Sequence, residues 1–302
     1  MNQRNVAFGI RPDKHIRVII DTDTACEADD QYAIAHALMT PKFHVKGITA
    51  EHFNCEGSME RSFQEASKIV KLMGLEEEIP VFRGAEISLT ADPAPIANAL
   101  RTDAVRFIID EALTNDPMPL YILCMGAVTN VAAAIMRTPE IESKIHVIWI
   151  GGGAYPEGEW EFNLCNDYKA ANLLFKSDVE LWQVPNVAYA HLRLSYAEIQ
   201  EKVKPYGKIG NYLFKEMQYY GNSQDADWTM GESWSLGDTA AVGLAIDFMA
   251  GRSHIEDARV VDENGCYGDI VKTDRTIRVY DEVDSRFMLE DFFAKLRIFF
   301  SE

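Results

Sequence analysis

Three absences narrow the possibilities at once. The chain has no run of 18 apolar residues, so no transmembrane helix is expected. It has no CxxC spacing. Its five cysteines (Cys26, Cys55, Cys124, Cys165 and Cys266) are scattered and odd in number, which argues against a zinc knuckle or a disulfide scaffold. Reduced thiols in a cytoplasmic protein are the simpler expectation. Positive charge is scarce: 29 Lys and Arg stand against 47 Asp and Glu, for a net charge of −18. That balance excludes nucleic acid and anionic membrane as natural partners and suits a small neutral or cationic ligand. The N-terminal segment is polar, with charges at Lys14 and Arg17, and lacks the apolar core of a signal peptide. Gly151-Gly152-Gly153 has neither the GxGxxG spacing nor a nearby basic residue, so no phosphate loop is read there. Internal repeats, low-complexity stretches and clear linkers are also missing, and residues 1–302 read as one domain.

What is present is a regular alternation. The 47% hydrophobic content supplies a sizeable core. Short apolar runs at 16–20, 43–50, 79–82, 120–124, 145–150 and 179–183 read as strands. Amphipathic segments at 31–39, 56–73, 101–113, 128–136 and 169–175 read as helices between them. This order predicts an α/β fold with a mostly parallel central sheet and helices on both faces. Beyond residue 195 the pattern turns helical, at 196–203, 209–219 and 239–249. A strand pair at 255–261 and 275–281 and a closing helix at 283–300 complete the chain. In such sheets ligands bind outside the carboxyl ends of the strands.

The first strand ends in an unusual turn. Asp21, Asp23, Glu27, Asp29 and Asp30 place five carboxylates within ten residues. Like charges so close repel one another unless something positive sits among them. A hard divalent cation with oxygen ligands is the usual solution. Other strand ends add matching chemistry: Glu51-His52-Phe53-Asn54, Met125-Gly126-Ala127, Glu159-Trp160-Glu161-Phe162-Asn163 and, downstream, Gly237-Asp238. Carboxylates suit a cation, and carboxylates with carboxamides suit sugar hydroxyls.

In this order the motifs resemble the nucleoside hydrolases, the inosine-uridine-preferring N-ribohydrolases. The aspartate turn is similar to the family signature. Gly47-Ile48-Thr49 with Asn54, Ile79 to Ala85, Met125 to Asn130, Glu161-Phe162-Asn163 with Asp167, and Gly237-Asp238 follow in family order over roughly residues 16–250. The resemblance implies the family fold and calcium-dependent hydrolysis of the N-glycosidic bond of a ribonucleoside or related riboside, in a homo-oligomer (dimer or tetramer). It implies calcium held by Asp23, Asp30, Asp238 and the backbone carbonyl of Met125, with Asp29 as general base. Asn54, Glu161 and Asn163 would bind ribose hydroxyls, and Asp21 would orient the metal site and contact backbone or sugar. The chemistry is coherent, because glycosidic cleavage passes through a cationic sugar that carboxylates stabilise.

The chain departs from the family pattern in three places. Five residues separate Asp23 from Asp29 where the family has three. Gly237 replaces the histidine that precedes the last metal aspartate. The asparagine usually found before the Glu-x-Asn triplet is missing from Tyr155-Pro156-Glu157-Gly158-Glu159-Trp160. These departures mark an atypical subgroup. His52 is a candidate acid in place of the lost histidine, since imidazole suits proton transfer near neutrality; the alternative is a structural histidine. Trp160 and Trp234, like Tyr155 and Trp228, are candidates to stack on a base, or else to pack in the core. Glu27 reads equally as an extra metal carboxylate or a surface residue, and Asp238 as a ligand or a plain helix N-cap. Asp167 reads as an N-cap, and Thr129-Asn130 as shaping a turn.

Two rival functions compete. Asp21-Thr22-Asp23-Thr24-Ala25 nearly fits the DxDx[TV] turn of haloacid-dehalogenase-like phosphatases, although that reading leaves Asp29-Asp30 and Glu161-Phe162-Asn163 without a role. A calcium-containing nucleoside- or sugar-binding protein without activity would account for the missing histidine.

Overall fold

The computed structural model describes residues 6–89 and 93–301. Twelve strands are formed in chain order: β1 (Ile16–Thr22), β2 (Phe43–Ala50), β3 (Val81–Arg83), β4 (Leu120–Cys124), β5 (Ile145–Ile150), β6 (Glu180–Val184), β7 (Arg193–Ser195), β8 (Ser233–Ser235), β9 (Gly251–Asp257), β10 (Arg259–Val261), β11 (Tyr267–Ile270) and β12 (Thr276–Val283). Eight of them form one sheet in the order β3-β2-β1-β4-β5-β6-β12-β9. Every pairing in it is parallel except β12 with β9 at the edge. The mostly parallel sheet expected from the alternation is therefore present.

Burial explains why these runs are strands. All seven residues of β1 are buried, as a central strand covered on both faces requires. Its side chains divide with period two: Ile16, Val18 and Ile20 join one core cluster, and Ile19 joins the other. The first cluster lies under the helices Asp30–Leu38, Ser58–Leu72, Gly207–Gly221, Thr239–Ile246 and Ser285–Phe300. The second lies under Asp103–Leu113, Thr129–Arg137 and Tyr168–Lys176. Helix Thr239–Ile246 is buried along nearly its whole length, which suits its uniformly apolar sequence. It stops short of the expected residue 249. Lys42 Nζ donates to the carbonyls of Ala245 (2.7 Å) and Ile246 (2.8 Å) at its end.

The order of the sheet decides where a ligand can go. The chain moves outward from β1 to β2 and β3, then returns to place β4 on the other side of β1. A crevice opens at such a reversal, outside the carboxyl ends of the two strands. Asp21 lies level with Cys124 across that pair. The aspartate turn after β1 and the Met125-Gly126 turn after β4 thus meet at the switch point.

The C-terminal part also differs from expectation in its strand pairing. The expected partner of 275–281 is split at Ala258. Residues before it pair antiparallel with β12 in the main sheet, and residues after it form a separate hairpin, β10 with β11. Ala258 is fully buried between them; its N–H donates to Arg275 O and its carbonyl accepts from Val271 N, both at 2.9 Å. β7 and β8 form another small antiparallel pair that periodicity does not reveal. No helix among the described residues is long and apolar enough to cross a membrane.

Candidate active site

A cavity of about 500 Å³ opens at the switch point. Its walls include Asp23, Glu27, Asp29, Asp30 and Asp238, with Met125, Glu161 and Asn163, and, from connecting segments, Trp160, Tyr189, Arg193 and Trp228. One carboxylate oxygen from each of Asp29, Asp30 and Asp238 lies within 4.8 Å of the others. Residues more than two hundred positions apart are brought together because helix Asp30–Leu38 packs beside helix Thr239–Ile246.

Asp29 and Asp238 both occupy helix N-cap positions, yet neither side chain accepts a capping hydrogen bond. Their carboxylates face the cluster instead. Asp29 Oδ2 accepts from the Asp238 N–H at 3.3 Å. Asp30 accepts a short hydrogen bond from Thr22 Oγ1. Asp23 Oδ2 is buried without a hydrogen-bond partner, an expensive arrangement for a carboxylate that remains charged. Gly126 makes room for it: a Cβ there would lie 3.0 Å from Asp23 Cγ.

Burial pushes every acid of this cluster above its ordinary value. Asp29 rises to about 6, opposed by backbone N–H groups that favour its ionised form. Asp30 rises to about 8 through burial and the neighbouring Asp29. Glu27 also rises to about 8, through burial followed by the charges of Asp29, Asp30 and Glu161. Asp23 and Asp238 are pushed up by burial and then by the surrounding carboxylates. Protons or a cation relieve the same strain. An unpartnered buried carboxylate oxygen and a clustered set of hard oxygens fit a divalent cation.

The remaining expected residues are distributed differently. Glu161 and Asn163 line the cavity. Asn163 Nδ2 donates to the carbonyls of Met125 and Ile150, both at 3.0 Å, which fixes the Met125 turn. Asp21 is fully buried and does not line the cavity. It accepts from Thr49 Oγ1 at 2.6 Å and Asn130 Nδ2 at 3.0 Å, so it braces the two strand-end turns and makes no contact available to a sugar. Asn54 lies outside the lining, its side chain donating to Asn166 O at 3.0 Å. His52 is fully buried and also outside it. Its Nδ1 accepts from the Asn54 N–H at 3.3 Å and its Nε2 pairs with Thr129 Oγ1 at 2.9 Å. Burial lowers it to about 4, so it is neutral near pH 7 and both ring nitrogens are engaged. This is the geometry of a structural histidine, with no proton directed at the cavity.

The tryptophans divide in the same way. Trp160 lines the cavity and is 63% exposed. Trp234 is 2% exposed and lies in the core. Trp228, 52% exposed, stands edge-on to it at 4.9 Å and is the one of the two that reaches the cavity. Asp167 caps helix Tyr168–Lys176 as expected, accepting from the Ala170 N–H at 3.0 Å. Thr129 and Asn130 shape the turn after β4, where Val128 adopts φ +50°. A β-branched residue seldom holds that conformation, and here the bond from Asn130 N–H to Glu51 Oε1, at 2.6 Å, helps to hold it. Tyr189, Asn186 and Arg193 were not singled out in the sequence. Gly237 is a sequence signal for Tyr189 alone, because a Cβ there would meet the tyrosine ring.

Residues 18–290 match the profile of the inosine-uridine preferring nucleoside hydrolases. The chain belongs to that family. It is 28% identical over 187 residues to the non-specific ribonucleoside hydrolase RihC of Salmonella paratyphi B, an alignment covering 55% of this chain and 59% of that protein. It is 28% identical over 231 residues to uridine nucleosidase 1 of Arabidopsis thaliana, covering 68% and 67% of the two. Among solved structures, a purine-preferring ribonucleoside hydrolase from Gardnerella vaginalis superposes with a TM-score of 0.77 at 25% identity, over 93% of this chain and 98% of that one. A plant nucleoside hydrolase shares the fold, with a TM-score of 0.76 over 94% and 99% of the two chains. Membership in the nucleoside hydrolases leaves the phosphatase alternative without support, and Asp21, the first aspartate of the phosphatase-like turn, is buried away from the cavity.

Proposed function

We propose that this nucleoside hydrolase family member hydrolyses the N-glycosidic bond of a ribonucleoside or related riboside, with calcium as cofactor. The observation that carries the proposal is the convergence of Asp29, Asp30 and Asp238 within 4.8 Å in a cavity that also presents Glu161, Asn163 and exposed tryptophans. Asp23, Asp30, Asp238 and the Met125 carbonyl are the groups assigned to the cation. Their all-oxygen character favours calcium over a thiolate- or imidazole-seeking metal. When bound, such a cation lowers the pKa of water and orients it.

Asp29 is assigned the proton-accepting role. One of its oxygens lies within 4.8 Å of those of Asp30 and Asp238, and acceptance requires approach to about 3 Å of the attacking water. The surrounding carboxylates stabilise positive charge as it develops on the sugar. Trp160 and Trp228 provide faces for an aromatic leaving group. No histidine lines the cavity among the described residues, so the preferred substrates are ribosides whose base departs without strong acid assistance. That same absence is what favours the second reading, a binding protein without turnover. A homo-oligomer in a reducing compartment accompanies the proposal; the free state of all five cysteines is compatible with it.

The test is release of reducing sugar from purine and pyrimidine nucleosides and nicotinamide riboside, with calcium and after chelation. Release that stops on chelation and returns with calcium is expected. Calcium binding with no release from any riboside would overturn hydrolysis and favour the binding protein.

A further inference from the structure

Glu161 is a cavity acid whose acceptor sites are already filled. Its Oε2 accepts from the N–H groups of Gly152 (2.7 Å) and Leu164 (2.9 Å). Its Oε1 accepts from the Asn163 N–H (3.2 Å) and the Tyr189 hydroxyl (2.9 Å). An ionised carboxylate offers about four lone-pair sites, and these four donors use them all. Three are backbone groups fixed by the glycine turn after β5 and the first turn of helix Phe162–Asn166. Only the tyrosine hydroxyl belongs to a side chain, and Tyr189 lines the same cavity as Glu161.

The position of the tyrosine is itself built in. A Cβ at residue 237 would lie 2.7 Å from Tyr189 Cδ2, a separation that atoms do not tolerate. The ring therefore takes the volume that a side chain at 237 would need, and the glycine permits it. The peptide carbonyl of Tyr189 accepts from Ser235 Oγ at 3.3 Å. Gly237, Tyr189 and Glu161 form a chain of contacts running from the last aspartate of the cluster to the acid expected to read sugar hydroxyls.

We propose that Tyr189 is a specificity-determining residue: its hydroxyl holds the acceptor site of Glu161 that faces the cavity, so one hydroxyl of the pentose is read weakly. A ligand hydroxyl entering there must displace the tyrosine and gains no net hydrogen bond. A pentose lacking that hydroxyl, or carrying it substituted, loses nothing. The inference rests on the riboside reading of the cavity, and it concerns which sugars are accepted.

The experiment compares ribosides with their 2′-, 3′- and 5′-deoxy counterparts in wild type and Tyr189→Phe, which keeps the ring against Gly237. In the wild type, one of the three deletions is expected to change kcat/KM by less than about 3-fold. In Tyr189→Phe the same deletion should cost about 10- to 100-fold, the worth of a hydrogen bond to a charged group. Gly237→Ala, which drives the ring aside, should shift discrimination at the same position. A purely structural tyrosine would alter stability or overall rate and leave the discrimination ratios unchanged. Unchanged ratios in both variants, or strong wild-type discrimination at all three positions, would overturn the inference. If no riboside is cleaved, the same ratios are read as affinities for ribose and its deoxy derivatives by calorimetry. Failure of the wild type to bind any pentose refutes the riboside reading and the inference together, whereas pentose binding with unchanged ratios refutes the inference alone.

Discussion

Cation binding to this cluster should expel protons, and a minimum number follows from the burial of Asp30. Asp30, raised to about 8, is about nine-tenths protonated at about pH 7 by the ordinary titration relation. Asp23 and Asp238 are shifted in the same direction by burial and then by the surrounding carboxylates. Asp29, at about 6, is mostly ionised. A divalent cation replaces protons as the source of positive charge, because its ligands bind deprotonated. Binding at about pH 7 should therefore release at least about one proton, and the apparent affinity should rise with pH below neutrality. The assay is titration calorimetry of chelator-treated protein with calcium in two buffers of different ionisation enthalpy, whose difference gives the proton count. Magnesium serves as the comparison, since its tighter octahedral demands suit a preformed cluster less well. Release of fewer than about one proton, with calcium still bound, would refute the reasoning. It would mean that the carboxylates are already ionised in the cation-free protein and that burial does not hold their protons.

Further outcomes follow from the same geometry. Asp29→Ala should reduce turnover by at least about 10²- to 10⁴-fold, the range of general-base contributions, while calcium binding persists; loss of calcium binding as well would show that Asp29 is a ligand. His52, fully buried and lowered to about 4, is protonated more readily in the unfolded chain than in the folded one between that value and its ordinary 6.5. Stability from this residue is therefore complete at neutral pH and is lost as pH falls through that window, by about 3 kcal/mol in full. Urea unfolding at about pH 7 and about pH 4.5 should show a smaller acid loss in His52→Gln than in the wild type; equal losses would assign the sensitivity to other groups. Trp234→Ala should destabilise the fold by about 3–5 kcal/mol through loss of a core side chain, seen as a lowered denaturation midpoint. Trp160→Ala, at an exposed position, should leave that midpoint nearly unchanged and raise KM for base-bearing substrates by a few-fold to about 10-fold. The opposite pattern would exchange their roles.

Much of the frame was legible from local pattern alone. Strands at 16–20, 43–50, 120–124 and 145–150 are apolar runs that a doubly covered parallel sheet requires, and each lies within or matches an observed strand. The aspartate turn announced its chemistry because five carboxylates in ten residues have few stable solutions without positive charge. Family order carried Asp238 to the site even though, locally, it looks like a helix cap.

Tertiary structure decided which side chains reach the cavity. His52 and Asn54 follow β2 and sit at the correct end of the sheet, but the turn buries one and bonds the other to Asn166 O. Trp228 and Trp234 lie six residues apart with similar local sequence, and only packing separates a cavity wall from a core anchor. Tyr189 had no motif to announce it. Its placement depends on the volume that Gly237 leaves for its ring and on the Glu161 lone pair that no backbone N–H takes. Residue type and spacing determine what a side chain is able to do, and they act locally along the chain. Which groups share a cavity depends on strand order, on the helix pairing that joins residue 30 to residue 238, and on competition for space and hydrogen bonds. Those are properties of the packed molecule, with no counterpart in the linear pattern.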